Sequence, residues 1–121
     1  MTTLEIGKQL VELCRSGKNH EAMETLYSPD IVAVEAGAPP GQSPEAKGLP
    51  AVLAKSKWWA DNHEVHKAEV DGPFPHGDRF AVVFKYDITR KTDNKRIQMN
   101  EVALYTINND KIVREEFFYA M

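Results

Sequence analysis

The segment MNEVALYTINNDKIVREEFFYAM, residues 99–121, contains two strand-like runs joined by a tight turn at NND. Apolar and polar residues alternate along both runs, which is typical of antiparallel strands with one buried face. This alternation places Glu101 and Glu115 among apolar and aromatic side chains. Because a carboxylate on an apolar face is unfavourable unless it is used or paired, both acids are candidates for a functional role.

The same period of two extends upstream of this segment. NHEVHKAEV predicts a strand that the turn DGPFPHGD closes, and RFAVVFKYDITR predicts another strand with an aromatic and aliphatic face. The predicted strands are long, roughly 9 to 13 residues, and long antiparallel strands twist into a coiled sheet with a concave face. The sequence therefore predicts a strongly curved, mainly antiparallel sheet in the C-terminal part of the chain.

Helical patterns occupy the N-terminal part of the chain. Thr2 and Glu5 form a capping-box pattern, which predicts a first helix from about Thr3. Asn19 can cap a second helix, after which the β-branched run IVAVEA predicts a strand, and Pro50 suits the first turn of a third helix. Helices followed by an antiparallel meander predict an α+β fold. Three N-terminal helices on the concave face would leave a cone open at one end, which is a suitable ligand pocket.

Composition narrows the class of protein. The 121 residues fit one domain, residues 1–121, and the net charge of −3 argues against nucleic acid as a partner. The sequence has no apolar run near the roughly 20 residues that span a bilayer, and MTTLEIGKQL lacks a signal-peptide pattern. The one cysteine, Cys14, excludes an intrachain disulfide and fits a reducing compartment. We expect a cytoplasmic protein that binds neither membranes nor nucleic acid.

Several segments together resemble the nuclear-transport-factor-two-like superfamily, and within it the SnoaL-like and ketosteroid-isomerase-like proteins. They are LYSPDIVAVEA, GLPAV followed by WW, HGDRFAVVFKYDIT and EVALYTINNDKIVREEFFY. The resemblance covers nearly the whole chain and implies a cystatin-like cone with a mixed, mainly antiparallel sheet. This superfamily contains isomerases, cyclases, dehydratases, epoxide hydrolases and non-catalytic binding domains, so the fold does not decide the activity.

The resemblance also implies roles for individual residues. The general-base position of ketosteroid isomerases, counted from Tyr27 and Asp30, falls on Glu35. The second acid, which donates a hydrogen bond to an oxyanion while protonated, falls on Glu101. The oxyanion-hole tyrosine of the first helix would fall near Leu10, and this helix contains no tyrosine. The usual pair of donors for steroid isomerisation is therefore incomplete.

Each acid has a structural alternative to its functional interpretation. Glu35 shares its strand face with Ile31 and Ala33, but it also lies at the strand end, where the loop could leave it in water. The strand face that carries Glu101 is more apolar than the face that carries any other acid of the chain. There Glu101 could donate a hydrogen bond to a carbonyl oxygen or form a structural pair with a buried Arg or His. Both are predicted to line the pocket.

The last strand carries a second group of candidates. Glu115 alternates with Phe117 and Tyr119, and we predict that this face points inward. Tyr119 could donate a hydrogen bond to a substrate oxygen and partly replace the missing helix tyrosine. The alternative is that these aromatic residues belong to the core or to a dimer surface.

Histidines and tryptophans complete the set of candidates. His63 and His66 are three residues apart, which does not match a zinc helix motif, so no metal and no cofactor are predicted. His66 shares a face with Ala68 and Val70 and is predicted to line the pocket. Trp58 and Trp59 are adjacent on the third helix and cannot face the same way. Trp58 is expected to rim the cone mouth, and Trp59 to lie on the buried stripe.

These observations predict general acid–base chemistry on a small hydrophobic carbonyl compound. Glu35 would remove a proton next to the carbonyl, and Glu101 or Tyr119 would stabilise the enolate. Isomerisation, cyclisation and dehydration all fit, without a cofactor; the alternative is a ligand-binding or dimerisation domain that does no chemistry. The outer sheet face is predicted to form a homodimer through an apolar patch of Val83, Val102, Leu104 and Phe118.

Overall fold

The computed structural model describes residues 1–120 and contains three helices and a six-stranded sheet. The predicted α+β class is confirmed. In chain order the elements are α1 (Thr3–Arg15), α2 (Asn19–Leu26), β1 (Tyr27–Val34), β2 (Glu45–Lys47), α3 (Leu49–Asn62), β3 (His63–His76), β4 (Arg79–Arg90), β5 (Lys95–Asn108) and β6 (Lys111–Phe118). No helix within residues 1–120 is long and apolar enough to cross a membrane.

The sheet has the order β2-β1-β6-β5-β4-β3. Only β1 and β6 pair in parallel, and the other neighbours are antiparallel, so the sheet is mixed and mainly antiparallel as predicted. Strands β3, β4 and β5 are 12 to 14 residues long. Strands of this length accumulate twist, and the sheet curves without closing into a barrel.

Helices α1 and α3 begin as their N-terminal residues predict, but the prediction that Asn19 caps α2 is wrong. The Thr2 side chain accepts a hydrogen bond from the Glu5 N–H and so caps α1. Helix α3 has Pro50 in its first turn, and α2 is preceded by Lys18 at the cap position, so Asn19 lies inside the helix. Helix α1 packs against β3 and β4, and α3 packs against β1, β2 and β3. The concave face is thus covered at one end and open at the other.

The C-terminal hairpin has the predicted register. Tyr105 pairs with Glu115 and Ala103 pairs with Phe117, so the aromatic and acidic residues of β5 and β6 share the concave face. Beneath α1 the ring of Tyr105 stacks on Phe80, with 4.9 Å between the centroids. This arrangement places carboxyl groups directly above the apolar core, as the alternation indicates.

Two predicted boundaries are wrong. The segment DGPFPH does not turn but continues β3 to His76, because an irregularity between Asp71 and Phe74 absorbs the glycine and prolines within the strand pairing. The chain reverses at Gly77 and Asp78 instead. Strand β1 starts at Tyr27, earlier than the β-branched run, because its pairing with β6 begins at that residue.

Candidate functional site

A cavity of about 750 Å³ lies between the concave face of the sheet, the helices and the loop that joins β1 to β2. Aromatic and aliphatic side chains form most of its wall. Glu101 and Glu115 reach it from the adjacent strands β5 and β6, Glu35 reaches it from the position after β1, and Lys55 reaches it from α3. A concave, largely apolar site with a few converging polar groups is the usual form of a small-molecule site.

Glu35 is the centre of a polar network near the cavity mouth. Its Oε1 accepts a hydrogen bond from the Lys55 Nζ, and its Oε2 accepts one from the Tyr119 hydroxyl at 2.8 Å. The Lys55 Nζ also lies 5.3 Å from the centroid of the Phe117 ring, which adds a cation–π contact. The network connects β1, α3 and the residue that follows β6, and both oxygens of Glu35 are occupied.

Glu101 lies on β5, opposite Phe84 of β4, and faces the cavity. Within residues 1–120 no side chain forms a hydrogen bond or an ion pair with its carboxyl group. Burial raises the pKa of Glu101 to about 7, and the negative charges of Glu35 and Glu115 add to this shift. A carboxyl group with such a pKa can both accept and donate a proton near neutral pH.

Glu115 is the most buried acid of the site, with 1% of its surface exposed. The Tyr27 hydroxyl donates a hydrogen bond to its Oε2 from the neighbouring strand β1. Burial raises the pKa of Glu115 to about 7, although the Tyr27 hydrogen bond and the charge of Lys55 both oppose the shift. The same environment raises the pKa of the Tyr27 hydroxyl well above its usual range, again chiefly through burial.

The aromatic residues of α3 line the wall and the mouth. Trp59 stacks on His63 with 4.5 Å between ring centroids and lies 5.5 Å from Tyr86. Trp58 also lines the cavity and is 59% exposed, which places it at the mouth. A planar apolar molecule entering the cavity would pass Trp58 first.

The structure brings together all but one of the predicted site residues. Those that line the cavity are Glu35, Glu101, Glu115, Phe117, Tyr119, Trp58 and Trp59. The prediction that His66 lines the cavity is wrong. A bulge between Val65 and Lys67 makes His66 the extra residue of β3, so it is exposed and its Nε2 lies 2.6 Å from the Thr89 hydroxyl oxygen.

Two arginines that could have paired with the pocket acids bind other carboxylates. Arg96 binds Asp87, and Arg114 binds Glu116. Among residues 1–120, no group of three or more His, Cys, Asp or Glu side chains is arranged to hold a metal ion.

Sequence reasoning missed Lys55 and the role of Tyr27. Lys55 lies three residues after Val52 and four before Trp59, so its helical position is on the face of α3 that turns to the sheet. That spacing was a usable signal for an inward-pointing lysine. For Tyr27 no sequence signal was available, since its partner Glu115 is 88 residues away along the chain.

Known families and solved structures resemble this chain over its full length. A model of the SnoaL-like domain family matches residues 1–119. A comparison with curated proteins finds no match. The structure of a proposed SnoaL-like polyketide cyclase from Mesorhizobium loti is 44% identical, with a TM-score of 0.93 and a match that covers 98% of this chain and 100% of that one.

Two more distant structures share the fold. A proposed isomerase from Bacillus subtilis is 13% identical with a TM-score of 0.81, and the match covers 99% of this chain and 90% of that one. A protein with a ketosteroid isomerase-like fold from Catenulispora acidiphila, solved in complex with trimethylamine, is 20% identical with a TM-score of 0.74. That match covers 99% of this chain and 88% of the other. The resemblance seen in the sequence is confirmed.

Proposed function

The chain belongs to the SnoaL-like domain family, and on that basis we propose that it is a cofactor-independent enzyme that moves protons on a hydrophobic carbonyl compound. Isomerisation, cyclisation and dehydration are the reaction types that this chemistry serves. The observation that carries the proposal is Glu101, a carboxyl group without a protein partner in residues 1–120, which faces an apolar cavity and whose pKa burial raises to about 7.

In this proposal Glu101 is the general base. As a carboxylate it removes a proton from the carbon next to the carbonyl group, and as a carboxylic acid it returns the proton to another carbon. The sequence assigned the base to Glu35, but both oxygens of Glu35 already accept hydrogen bonds, from Lys55 and Tyr119. The base is therefore assigned to Glu101 here, and Glu35 holds Lys55 and Tyr119 in position.

Lys55 stabilises the enolate oxygen that forms, and Tyr119 joins it by turning its single hydroxyl proton from Glu35 Oε2 to that oxygen. An ammonium group has three N–H donors, and only one of those of Lys55 is used by Glu35. Tyr119 follows Phe118, whose strand neighbour is Val102, so Tyr119 lies near Glu101 across the β5–β6 pair. Donors beside the base suit a reaction in which negative charge moves onto the carbonyl oxygen.

Exchange of carbon-bound protons for deuterium tests this function without knowledge of the natural product. A panel of bicyclic and tricyclic ketones is incubated with the protein in D₂O, and loss of the α-proton signal is followed by NMR. Glu101→Gln is expected to slow exchange by about 100-fold or more, and Glu35→Gln by about tenfold or less. In the wild type the exchange rate should rise with pH through about 7, because Glu101 must lose its proton to act.

The opposite ranking of the two variants would return the base to Glu35. A protein that binds the ketones but exchanges none of them would instead be a binding domain. The closed Glu35–Lys55–Tyr119 network supports that second candidate function, since a carboxylate with both oxygens hydrogen-bonded stabilises the pocket wall without transferring a proton.

We also propose that two copies associate through the outer face of the sheet, with the small hydrophobic ligand in the cavity on the other face. Val102 and Phe118 are strand neighbours on this outer face and are 39% and 53% exposed. The Arg114–Glu116 ion pair lies beside them on the same strand as Phe118. An apolar centre with paired charges at its edge suits a self-complementary surface. We assign this dimer to the cytoplasm because Cys14 is a free thiol.

A further inference from the structure

The most buried part of the cavity has polar groups that the proton-transfer proposal does not use. Tyr27, Tyr105 and Glu115 line it, each no more than 4% exposed, and we call these three residues the cavity floor. Leu10 and Cys14 of α1 form the apolar wall beside it. Three oxygen-bearing side chains in so buried a position need partners, because unpaired polar groups in an apolar environment are destabilising.

The floor has hydrogen-bonding capacity that the protein leaves open. Tyr27 occupies Oε2 of Glu115, and the described residues provide no hydrogen bond to Oε1 of Glu115 or to the hydroxyl of Tyr105. Within residues 1–120 no solvent-inaccessible side-chain oxygen or nitrogen lacks a partner. Both atoms must therefore keep some accessible surface, and the surface available to these buried residues is the cavity itself.

The floor lies deeper in the cavity than the proton-transfer centre, although the charge of Glu115 still acts on Glu101. Tyr105 and Glu115 pair directly across β5 and β6, while Glu101 and Tyr119 each lie four residues further along these strands, toward the mouth. At about 3.3 Å per residue, the two levels are roughly 13 Å apart along the strands. A ligand that contacts both levels by hydrogen bonds would have its polar atoms roughly 7 to 10 Å apart.

We propose that the cavity floor is a second binding subsite, in which Glu115 and Tyr105 hydrogen-bond an uncharged carbonyl or hydroxyl oxygen at the far end of the ligand. The assignment of the reacting end rests on the proposed function. The substrate class is thereby narrowed to elongated, apolar molecules with an oxygen function at each end. Contacts remote from the reacting atoms would hold the carbonyl in position at Glu101.

An uncharged oxygen suits the floor better than an ion. Burial raises the pKa of Glu115 to about 7, so the carboxylic acid form, which can donate through Oε1, is present near neutral pH. Lys55, the one cation among the described residues that line the cavity, is already paired with Glu35. The titratable groups that face Glu115 from the surrounding elements are Cys14 of α1, Lys55 of α3, Tyr27 of β1, Glu35 after β1, and Glu101 and Tyr105 of β5.

A pair of naphthalene compounds tests the subsite by binding alone. Naphthalene-2,6-diol has a hydroxyl group at each end, and 2-naphthol has only one. Their dissociation constants are measured by fluorescence or calorimetry at about pH 6, where the acid form of Glu115 dominates. The diol is expected to bind about tenfold more tightly than the naphthol, as one additional buried hydrogen bond allows.

Two floor variants and one control separate this role from a structural one. Tyr105→Phe should reduce the preference for the diol to about threefold or less, since it removes only the hydroxyl. In the wild type the preference should persist as pH rises to about 8, because ionised Glu115 can accept the hydrogen bond that the diol hydroxyl donates. Glu115→Gln keeps an N–H donor at all pH values and should keep the preference at about pH 8. Glu116→Gln, on the opposite face of β6, should behave as the wild type does.

Several outcomes would contradict the proposal that the cavity floor is a binding subsite. Equal affinity for the two compounds, no measurable binding of the diol at about 1 mM, or a preference unchanged in Tyr105→Phe would each do so. Tighter binding of 2-(aminomethyl)naphthalene than of the diol, dependent on Glu115, would make the floor a cation site instead. Since binding needs no turnover, the subsite can fail while deuterium exchange succeeds, and the reverse.

Discussion

Glu101 and Glu115 show how two carboxyl groups on one concave face can serve different purposes. Both have a pKa that burial raises to about 7. Glu115 is tied to Tyr27 in the core, whereas Glu101 has no such partner in residues 1–120 and lies nearer the mouth. Glu101 and Glu115 therefore differ in whether they can reach a reacting carbon of a ligand. They do not differ in pKa.

The buried acid should make stability depend on pH. In the unfolded chain Glu115 ionises near its ordinary pKa of roughly 4.3, and in the folded protein near 7. Between these values the folded state holds the extra proton, so the free energy of unfolding should fall as pH rises from about 4.5 to about 7.5. In Glu115→Gln the decrease in unfolding free energy over this pH range should be smaller by up to about 3 kcal/mol. Urea unfolding at several pH values across the range measures it.

Glu101 contributes in the same direction, so the Glu115→Gln curve should keep part of its slope. Glu116→Gln is the matched control, because Glu116 lies on the other face and pairs with Arg114. Its pH curve should run parallel to that of the wild type. A Glu115→Gln curve parallel to the wild type would show that Glu115 ionises normally in the folded protein.

At the scale of residues, the sequence predicted the inward direction of the carboxyl groups better than it predicted their hydrogen-bond partners. Alternation alone identified the inward positions of Glu101, Glu115 and Phe117, because a strand fixes the direction of every second side chain. It could not identify Tyr27 as the donor to Glu115, because that contact depends on the parallel pairing of β1 with β6. Pairing between distant strands is not encoded in any local pattern.

At the scale of elements, the close contact between α1 and β3 determines how the helix sits on the sheet. Gly7 lies on the buried face of α1, and a Cβ atom at this position would come within 2.7 Å of Pro73 Cβ and 3.3 Å of Phe80 Cδ2. A proline ring cannot move aside easily. Gly7 is therefore a requirement of packing, and an isolated glycine in a helix pattern was the only sign of it.

Gly7→Ala should destabilise the fold although alanine favours helices. The helix gains about 1 kcal/mol from the exchange, but the clash with Pro73 requires α1 to move, which costs about 1–3 kcal/mol. A lower midpoint of thermal unfolding is expected. Lys8→Ala, on the exposed side of the same helix, should change the midpoint little. A more stable Gly7→Ala protein would mean that α1 packs less closely than described.

The two errors that sequence reasoning made within β3 have one cause. Glycine and proline in DGPFPH predict a turn, yet the structure keeps them in β3 by means of an irregularity at Asp71 and Phe74. The bulge at Val65 and Lys67 likewise reversed the predicted direction of His66. A bulge adds one residue without changing composition, so periodicity cannot detect it, although it flips the side chains that follow.

At the scale of the whole molecule, the two faces of the sheet have separate tasks in the proposed dimer. Phe118→Glu introduces a charge at the centre of the outer apolar patch, where it would be buried without a partner. The wild type is expected to have the mass of a dimer in light scattering at micromolar concentration, and Phe118→Glu the mass of a monomer.

Phe74→Glu is the control for this experiment, since Phe74 is similarly exposed, at 57%, but lies on β3. This variant should remain a dimer. A wild-type protein that has the mass of a monomer would contradict the proposed assembly, and a dimer that Phe74→Glu dissociates would move the interface to β3.

The irregular course of β3 has a consequence for solubility. β3 is an edge strand of the sheet. A regular edge strand would offer a continuous row of unpaired N–H and C=O groups to another chain. Two bulges interrupt the row, Pro73 and Pro75 supply no N–H, and charged side chains alternate along it. The other edge strand, β2, has only three residues. Copies of the protein are thereby prevented from adding strand to strand into open-ended aggregates, even though Val65 and Phe74 are exposed on β3.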